Sequence, residues 1–212
     1  MAKYLTEFIG TFFLVLVITL SVISGQALAP LAIGGTLMVM IFMGGHISGG
    51  HYNPAVSLAA MLRGALPFGE LVPYWIAQLA GGVLAALLGN FIAGGSVAIA
   101  PGLDVGIAPA FLVEFLFTFA LALTVLNVAT AKGTANNSFY GLAIGFVVVG
   151  AAIAGGGISG GAFNPAVGIG LSLGALFAGT GGGWFWLYII APLLGGALAA
   201  TVFKLQGNED IS

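Results

Sequence analysis

Two tripeptides carry the chemistry that can be read from this chain, Asn53-Pro54-Ala55 and Asn164-Pro165-Ala166. Asparagine is among the best helix N-caps, because its side-chain oxygen accepts a backbone N–H that has no intrahelical partner. Proline suits the first helical position, where its missing N–H is no loss. Alanine is small enough for two helix starts to meet. Each box therefore predicts a helix whose N-terminal end carries the equivalent of about half an elementary positive charge. With its oxygen used in capping, each asparagine keeps amide N–H donors for a polar neutral molecule. A cation or hydronium meets the positive ends as well as the cost of dehydration.

The surroundings these boxes expect are lipid. Sixty per cent of the 212 residues are apolar and 5% are charged, against roughly 25% charged in a soluble domain. One water-soluble core cannot hide that much apolar surface, so the chain reads as a polytopic membrane protein whose partner is the lipid bilayer. A net charge of −2 excludes a nucleic-acid surface and an electrostatic membrane anchor. The chain has no cysteine, two histidines and six scattered carboxylates. That inventory offers no thiol nucleophile, no catalytic constellation, no metal site and no call for a cofactor.

Apolar segments between turn signals predict six spanning helices, at about residues 4–24, 30–45, 71–91, 110–129, 139–154 and 184–203. The first is taken as a span rather than a cleaved signal peptide, because Glu7 interrupts it and its apolar run is long. The second and fifth are short for a bilayer and run into the glycine-rich stretches 44–50 and 155–161. Those stretches are expected to leave helical geometry and to turn carbonyl oxygens towards a narrow path. Each Asn-Pro-Ala then opens a further apolar segment, 53–62 and 164–173, too short to cross. These two are predicted to be re-entrant half-helices.

The halves repeat. Residues 47–56 (ISGGHYNPAV) return as 158–167 (ISGGAFNPAV), with eight of ten positions identical. Residues 74–82 (YWIAQLAGG) return as 188–196 (YIIAPLLGG), and Glu7 with Thr11 is echoed by Glu114 with Thr118. Three spans per half is an odd number, so the second half enters the membrane inverted relative to the first. The chain reads as one domain of two inverted repeats, 1–100 and 101–212. Lys3, Arg63, Lys132 and Lys204 all fall on the same side of this topology, and the opposite loops contain neither lysine nor arginine. The positive-inside rule then places both termini in the cytoplasm of a cell-membrane protein.

The paired boxes, the lead-in GHISGGH at 45–51, the carboxylates Glu7 and Glu114, and Gln78 together resemble the aquaporin/aquaglyceroporin (major intrinsic protein) family over nearly the whole chain. The resemblance implies an all-α membrane fold of six transmembrane helices plus two re-entrant half-helices. It further implies a pore in each subunit, a homotetramer, and passage of water and small neutral solutes. Glu7 and Glu114 would hold the re-entrant loops by hydrogen bonds, with His51 and Gln78 as further loop support.

In this family a filter of four positions lies to one side of the asparagine pair. Carrying the spacing over places it at Ile33, Ala152, Gly161 and Val167. Val167 stands where most members carry an arginine, and Ala152 where water-selective members carry a histidine. Gly168 replaces the aspartate usual in glycerol facilitators. The expectation is a wide, apolar, uncharged filter admitting glycerol, urea or undissociated metalloid acids besides water. The main alternative is a secondary transporter, which also uses inverted repeats and broken helices but needs a coupling-ion site or an alternating hinge. A closed structural membrane protein is a further alternative.

Overall fold

A computed structural model of the protein describes residues 1–207. Among the described residues the α-helices are α1 Ala2–Ile23, α2 Ala29–Ser48, α3 Pro54–Arg63, α4 Leu71–Ala93, α5 Ile107–Thr130, α6 Tyr140–Ser159, α7 Pro165–Phe177 and α8 Phe185–Leu205. Six of these helices are long and apolar enough to cross a membrane, and α3 and α7 are the short apolar pair. Packing follows one scheme twice. In the first half α1 lies against α2 and α4, and in the second α5 lies against α6 and α8. The short helices cross over, α3 onto α8 and α7 onto α4, while α2 and α6 close the bundle against each other.

One expectation is corrected. Residues 44–48 and 155–159 do not leave helical geometry, because α2 runs to Ser48 and α6 to Ser159, each 20 residues long. The glycines there serve packing: a Cβ on Gly44 would collide with the Tyr52 hydroxyl, and one on Gly155 would lie 2.7 Å from Val113. Only the next few residues are irregular. Gly49 and Gly160 end the helices at φ 91° and 90°, a left-handed cap that glycine adopts without the steric cost of a Cβ.

The same logic explains the repeated glycine pairs. Gly81 on α4 and Gly195 on α8 lie against backbone of α1 and α5, at Phe8 and Phe115. Their neighbours Gly82 and Gly196 lie against the backbone carbonyls of Ala166 and Ala55, the last residues of the opposite boxes. A Cβ on Gly82 would sit 2.7 Å from the Ala166 oxygen. Each glycine pair thus seats its long helix on a span of its own half and on the half-helix of the other.

Two buried carboxylates hold the irregular segments. Glu7 on α1 accepts hydrogen bonds from the Ser48 hydroxyl (2.6 Å), the backbone N–H groups of His51 (3.0 Å) and Tyr52 (2.7 Å), and the Gln78 amide (2.8 Å). Glu114 on α5 accepts from the Ser159 hydroxyl (2.8 Å) and the N–H groups of Ala162 (2.9 Å) and Phe163 (2.6 Å). The hydroxyls of Tyr74 and Tyr188 cap the last turns of α2 and α6 by donating to the Ser48 and Ser159 carbonyls, at 2.7 and 2.6 Å. The backbone N–H groups that leave helical pairing at membrane depth are thereby satisfied inside the protein, as a lipid environment requires.

Arg63 differs from a solvated surface cation. It is buried, donates to the Thr130 hydroxyl (2.8 Å) and carbonyl (2.6 Å), and lies over the Phe203 ring, so it pins the end of α3 to α5 and α8. Lys3 pairs with Glu70 at 2.8 Å.

Replacing Glu7 with alanine orphans four donor groups and replacing Glu114 orphans three, at about 1–3 kcal/mol for each buried group left unpaired. Thermal unfolding of the detergent-solubilised protein is therefore expected to shift down in both variants, and further in Glu7→Ala. Equal melting temperatures for wild type and the two variants would show that the carboxylates do not hold the loops.

Candidate functional site: a cavity between two half-helices

Both asparagines cap as their sequence context predicts. Asn53 Oδ1 accepts from the Ala55 N–H at 2.9 Å, and Asn164 Oδ1 accepts from the Ala166 N–H at 2.9 Å. Pro54 and Pro165 occupy the first helical position in each case. The amide groups are less free than the sequence implies. Asn53 Nδ2 donates to the Phe163 carbonyl and Asn164 Nδ2 to the Tyr52 carbonyl, both at 2.9 Å. Each asparagine so spends one N–H on the opposite half, and one N–H remains for the lumen.

The two carbonyls reach across because of backbone geometry. Tyr52 and Phe163 have φ of 47° and 50°, a left-handed conformation uncommon for residues with a side chain. Each is constrained from both sides: its N–H donates to a glutamate of its own half and its carbonyl accepts from an asparagine of the other. The Tyr52 hydroxyl adds a bond to the Met40 carbonyl at 2.8 Å. Local strain of this kind persists only where surrounding structure over-determines it.

Around this junction lies a cavity of about 270 Å³. Asn53 and Asn164 line it, together with Ile33 from α2, Ala152 from α6, and Gly161 and Val167 flanking the second box. The structure thus gathers all four sequence-assigned filter positions with the asparagine pair. No Asp, Glu, Lys or Arg is among the lining residues; apart from His51, Tyr52, Phe163 and the two asparagines, the walls are aliphatic side chains, Pro30 or glycine. Val56, the counterpart of Val167 in the first half, also lines the cavity, and the sequence reading had not singled it out.

Two recesses of about 440 and 560 Å³ open at the end of the bundle that carries Lys132, Lys3 and Arg63. The cavity meets the first at Ile144 and the second at His51 and Val125. His51 therefore does two things. Its backbone N–H supports the loop through Glu7, while its ring lines the passage and contacts the Ser57 hydroxyl through Nδ1 at 3.1 Å. Gln78, Glu7 and Glu114 lie behind the lining, fully buried.

Three groups of residues were missed by sequence reasoning. Ser48 and Ser159 bridge each glutamate to the N–H of Gly50 and Gly161, and Tyr74 and Tyr188 close the preceding turns. Both pairs sit inside the repeated blocks and could have been found there. Ser57 could not, because its counterpart in the repeat is Gly168. Among the described residues no group of histidine and carboxylate side chains could hold a metal ion.

Comparison with known proteins places this geometry in context. A family model for the major intrinsic protein matches residues 1–203. The chain is 38% identical to the glycerol uptake facilitator protein-like 6 of Lactiplantibacillus plantarum, covering 99% of this chain and 100% of that relative. It is 39% identical to the aquaporin TIP1-1 of Arabidopsis thaliana, over 86% of this chain and 72% of that one. The X-ray structure of the aquaglyceroporin from Plasmodium falciparum shares the fold, with a TM-score of 0.84 at 22% identity over 96% of this chain and 95% of that chain. Six apolar spans, two crossed half-helices and a family match across nearly the whole length lead to one assignment: the chain is a multi-pass membrane protein belonging to the major intrinsic protein family.

Proposed function

We propose that the protein is a passive channel for water and small uncharged solutes, conducting through the cavity between its two half-helices. The observation that carries this reading is the convergence of Asn53, Asn164 and four uncharged positions on one cavity. Two N-terminal helix ends and two amide N–H groups face a passing molecule there, which favours an oxygen acceptor and disfavours a cation. The family is one of channels and facilitators rather than of enzymes, and the relatives named above include an aquaporin and a glycerol facilitator.

Ile33, Ala152, Gly161 and Val167 form the selectivity filter in this reading. Val167 provides neither charge nor donor, so a solute gives up water against aliphatic walls and backbone. Absence of an arginine side chain widens the opening and leaves cation exclusion mainly to the asparagine pair. Glycerol, urea and undissociated metalloid acids are the solutes that fit. The chain is one channel domain of two inverted repeats, 1–100 and 101–212, in a homotetramer in the cell membrane with both termini cytoplasmic. The clustering of Lys3, Arg63, Lys132 and Lys204 at one end supports that orientation. Arg63, fixed on Thr130, weighs less than the other three.

Stopped-flow swelling of reconstituted vesicles tests the reading. Flux of water and glycerol is expected to rise linearly with the gradient without saturation. Saturable uptake coupled to an ion gradient would replace the channel with a transporter. The Val167→Arg variant is expected to cut glycerol and urea permeation by at least about tenfold, the scale on which a small change in pocket size discriminates. Water flux should fall much less. Undiminished glycerol uptake in that variant would remove Val167 from the filter.

A further inference from the structure

The two halves share their glutamates, serines, tyrosines and asparagines, but one cluster has no echo. His51, Ser57 and Gln78 in the first half correspond to Ala162, Gly168 and Pro192 in the second. Loop support does not require this cluster, since Glu114 holds its loop without any of the three. The cluster also sits where the cavity meets one recess, at His51 and Val125.

The donor and acceptor roles in the cluster are determined by elimination, starting from Glu7. Both Glu7 oxygens already accept backbone N–H groups, so the Gln78 atom 2.8 Å from Oε2 is the amide nitrogen, which donates. The same nitrogen lies 2.8 Å from Ser57 Oγ and donates its second hydrogen there. Ser57 Oγ is fully buried, and its remaining side-chain contact is His51 Nδ1 at 3.1 Å. If Nδ1 carried the proton, the Ser57 hydroxyl hydrogen would be left without an acceptor in a buried site, which is disfavoured. The hydroxyl therefore donates to Nδ1, Nδ1 is the bare nitrogen, and Nε2 carries the hydrogen. Assigning the tautomer from the bonding of the other ring nitrogen is the general rule for histidine.

Nε2 lies close to Gly49, where a Cβ would come within 2.9 Å, and both residues line the recess. We propose that Ser57 and Gln78 are positioning residues that lock His51 as the Nε2–H tautomer, making its ring a third fixed N–H donor along the passage, beyond the asparagine pair. This deepens the channel reading and rests on it. A permeant leaving the asparagines meets another donor and must again present an oxygen lone pair. With Val125 beside it, His51 is the polar side chain shared by the cavity and this recess, so it sets the hydrogen-bond sense there.

The test uses solid-state NMR of ¹⁵N-histidine-labelled protein in lipid bilayers, well above the ordinary histidine titration range. The chain has two histidines, and a His46→Asn variant assigns the remaining signal to His51. Wild type is expected to show one neutral form with Nδ1 bare and Nε2 protonated. Ser57→Ala should move a substantial share of the signal to the Nδ1–H form, while Ser57→Thr, which keeps the hydroxyl, should match wild type. A wild-type signal that is mainly Nδ1–H overturns the assignment, as does a Ser57→Ala spectrum identical to wild type. In the same vesicles Ser57→Ala is expected to lower water permeability by about two- to tenfold, the fold-change of one net hydrogen bond, with Ser57→Thr restoring it. A tautomer that Ser57→Ala releases without change in flux overturns the donor role in permeation. Wild-type vesicles that do not conduct at all would refute the channel reading instead, and the tautomer would be read independently of that failure.

Discussion

A backbone N–H that leaves helical pairing inside a bilayer must find its partner within the protein, and the rest of this structure follows from how that demand is met. After α2 and after α6 the chain turns through a few irregular residues and starts a new short helix. Glu7 and Glu114 make this tenable by each accepting two successive backbone N–H groups and a serine hydroxyl. A carboxylate suits the task because it has two oxygens and only accepts. Its burial is compensated by those donors, as a buried charge requires. With the loops held, Tyr52 and Phe163 are constrained in left-handed conformations, and their carbonyls reach the asparagines of the opposite half.

The reciprocal pair of asparagine bonds also defines what the cavity can offer. Each amide has two N–H groups, and the cross-link uses one. The lumen is left with one fixed donor from each asparagine. This arrangement is directional: the carbonyl of each asparagine is committed to its own helix and cannot rotate to offer an acceptor. Under the proposed channel reading, a molecule between the boxes meets the asparagine N–H donors, reinforced by two helix N-termini. The glycine contacts at Gly82 and Gly196 are part of the same construction, since they let α4 and α8 close against the carbonyls of Ala166 and Ala55 and press the two boxes together.

Much of this was legible because duplication prints a feature twice. The Asn-Pro-Ala boxes, the glycine pairs and the two glutamates each appear at matched places in both halves, and the six apolar segments were found within a few residues of their ends. Helix ends were the weak point. Glycine runs such as 44–50 read as irregular chain, yet tertiary packing keeps Gly44 and Gly45 helical, and the break falls only after Ser48. The asparagine cross-link was not legible at all. It depends on positive φ at a tyrosine and a phenylalanine, residue types that carry no sequence mark for that conformation. His51 was read as loop support from its place in the lead-in. Its ring faces the passage because Ser57, one turn into α3, and Gln78, on α4, meet beside it, a convergence that linear spacing does not reveal.

The halves then differ where selection would be exercised. On one side of the asparagine pair, Ile33, Ala152, Gly161 and Val167 supply aliphatic surface and backbone. On the other, His51 adds an aromatic ring, and Val125 and Ile144 also line the cavity. Under the proposed channel reading, a solute entering from the first side is screened by size and by the cost of shedding water, because nothing charged compensates it. Screening by hydrogen-bond sense begins at the asparagines and continues to His51. An apolar opening of this kind discriminates weakly among neutral molecules of similar girth, whereas a row of fixed donors discriminates sharply between acceptor-bearing solutes and cations. In that reading, breadth of permeant and refusal of charge are compatible in one passage, since different residues on opposite sides of the boxes set them.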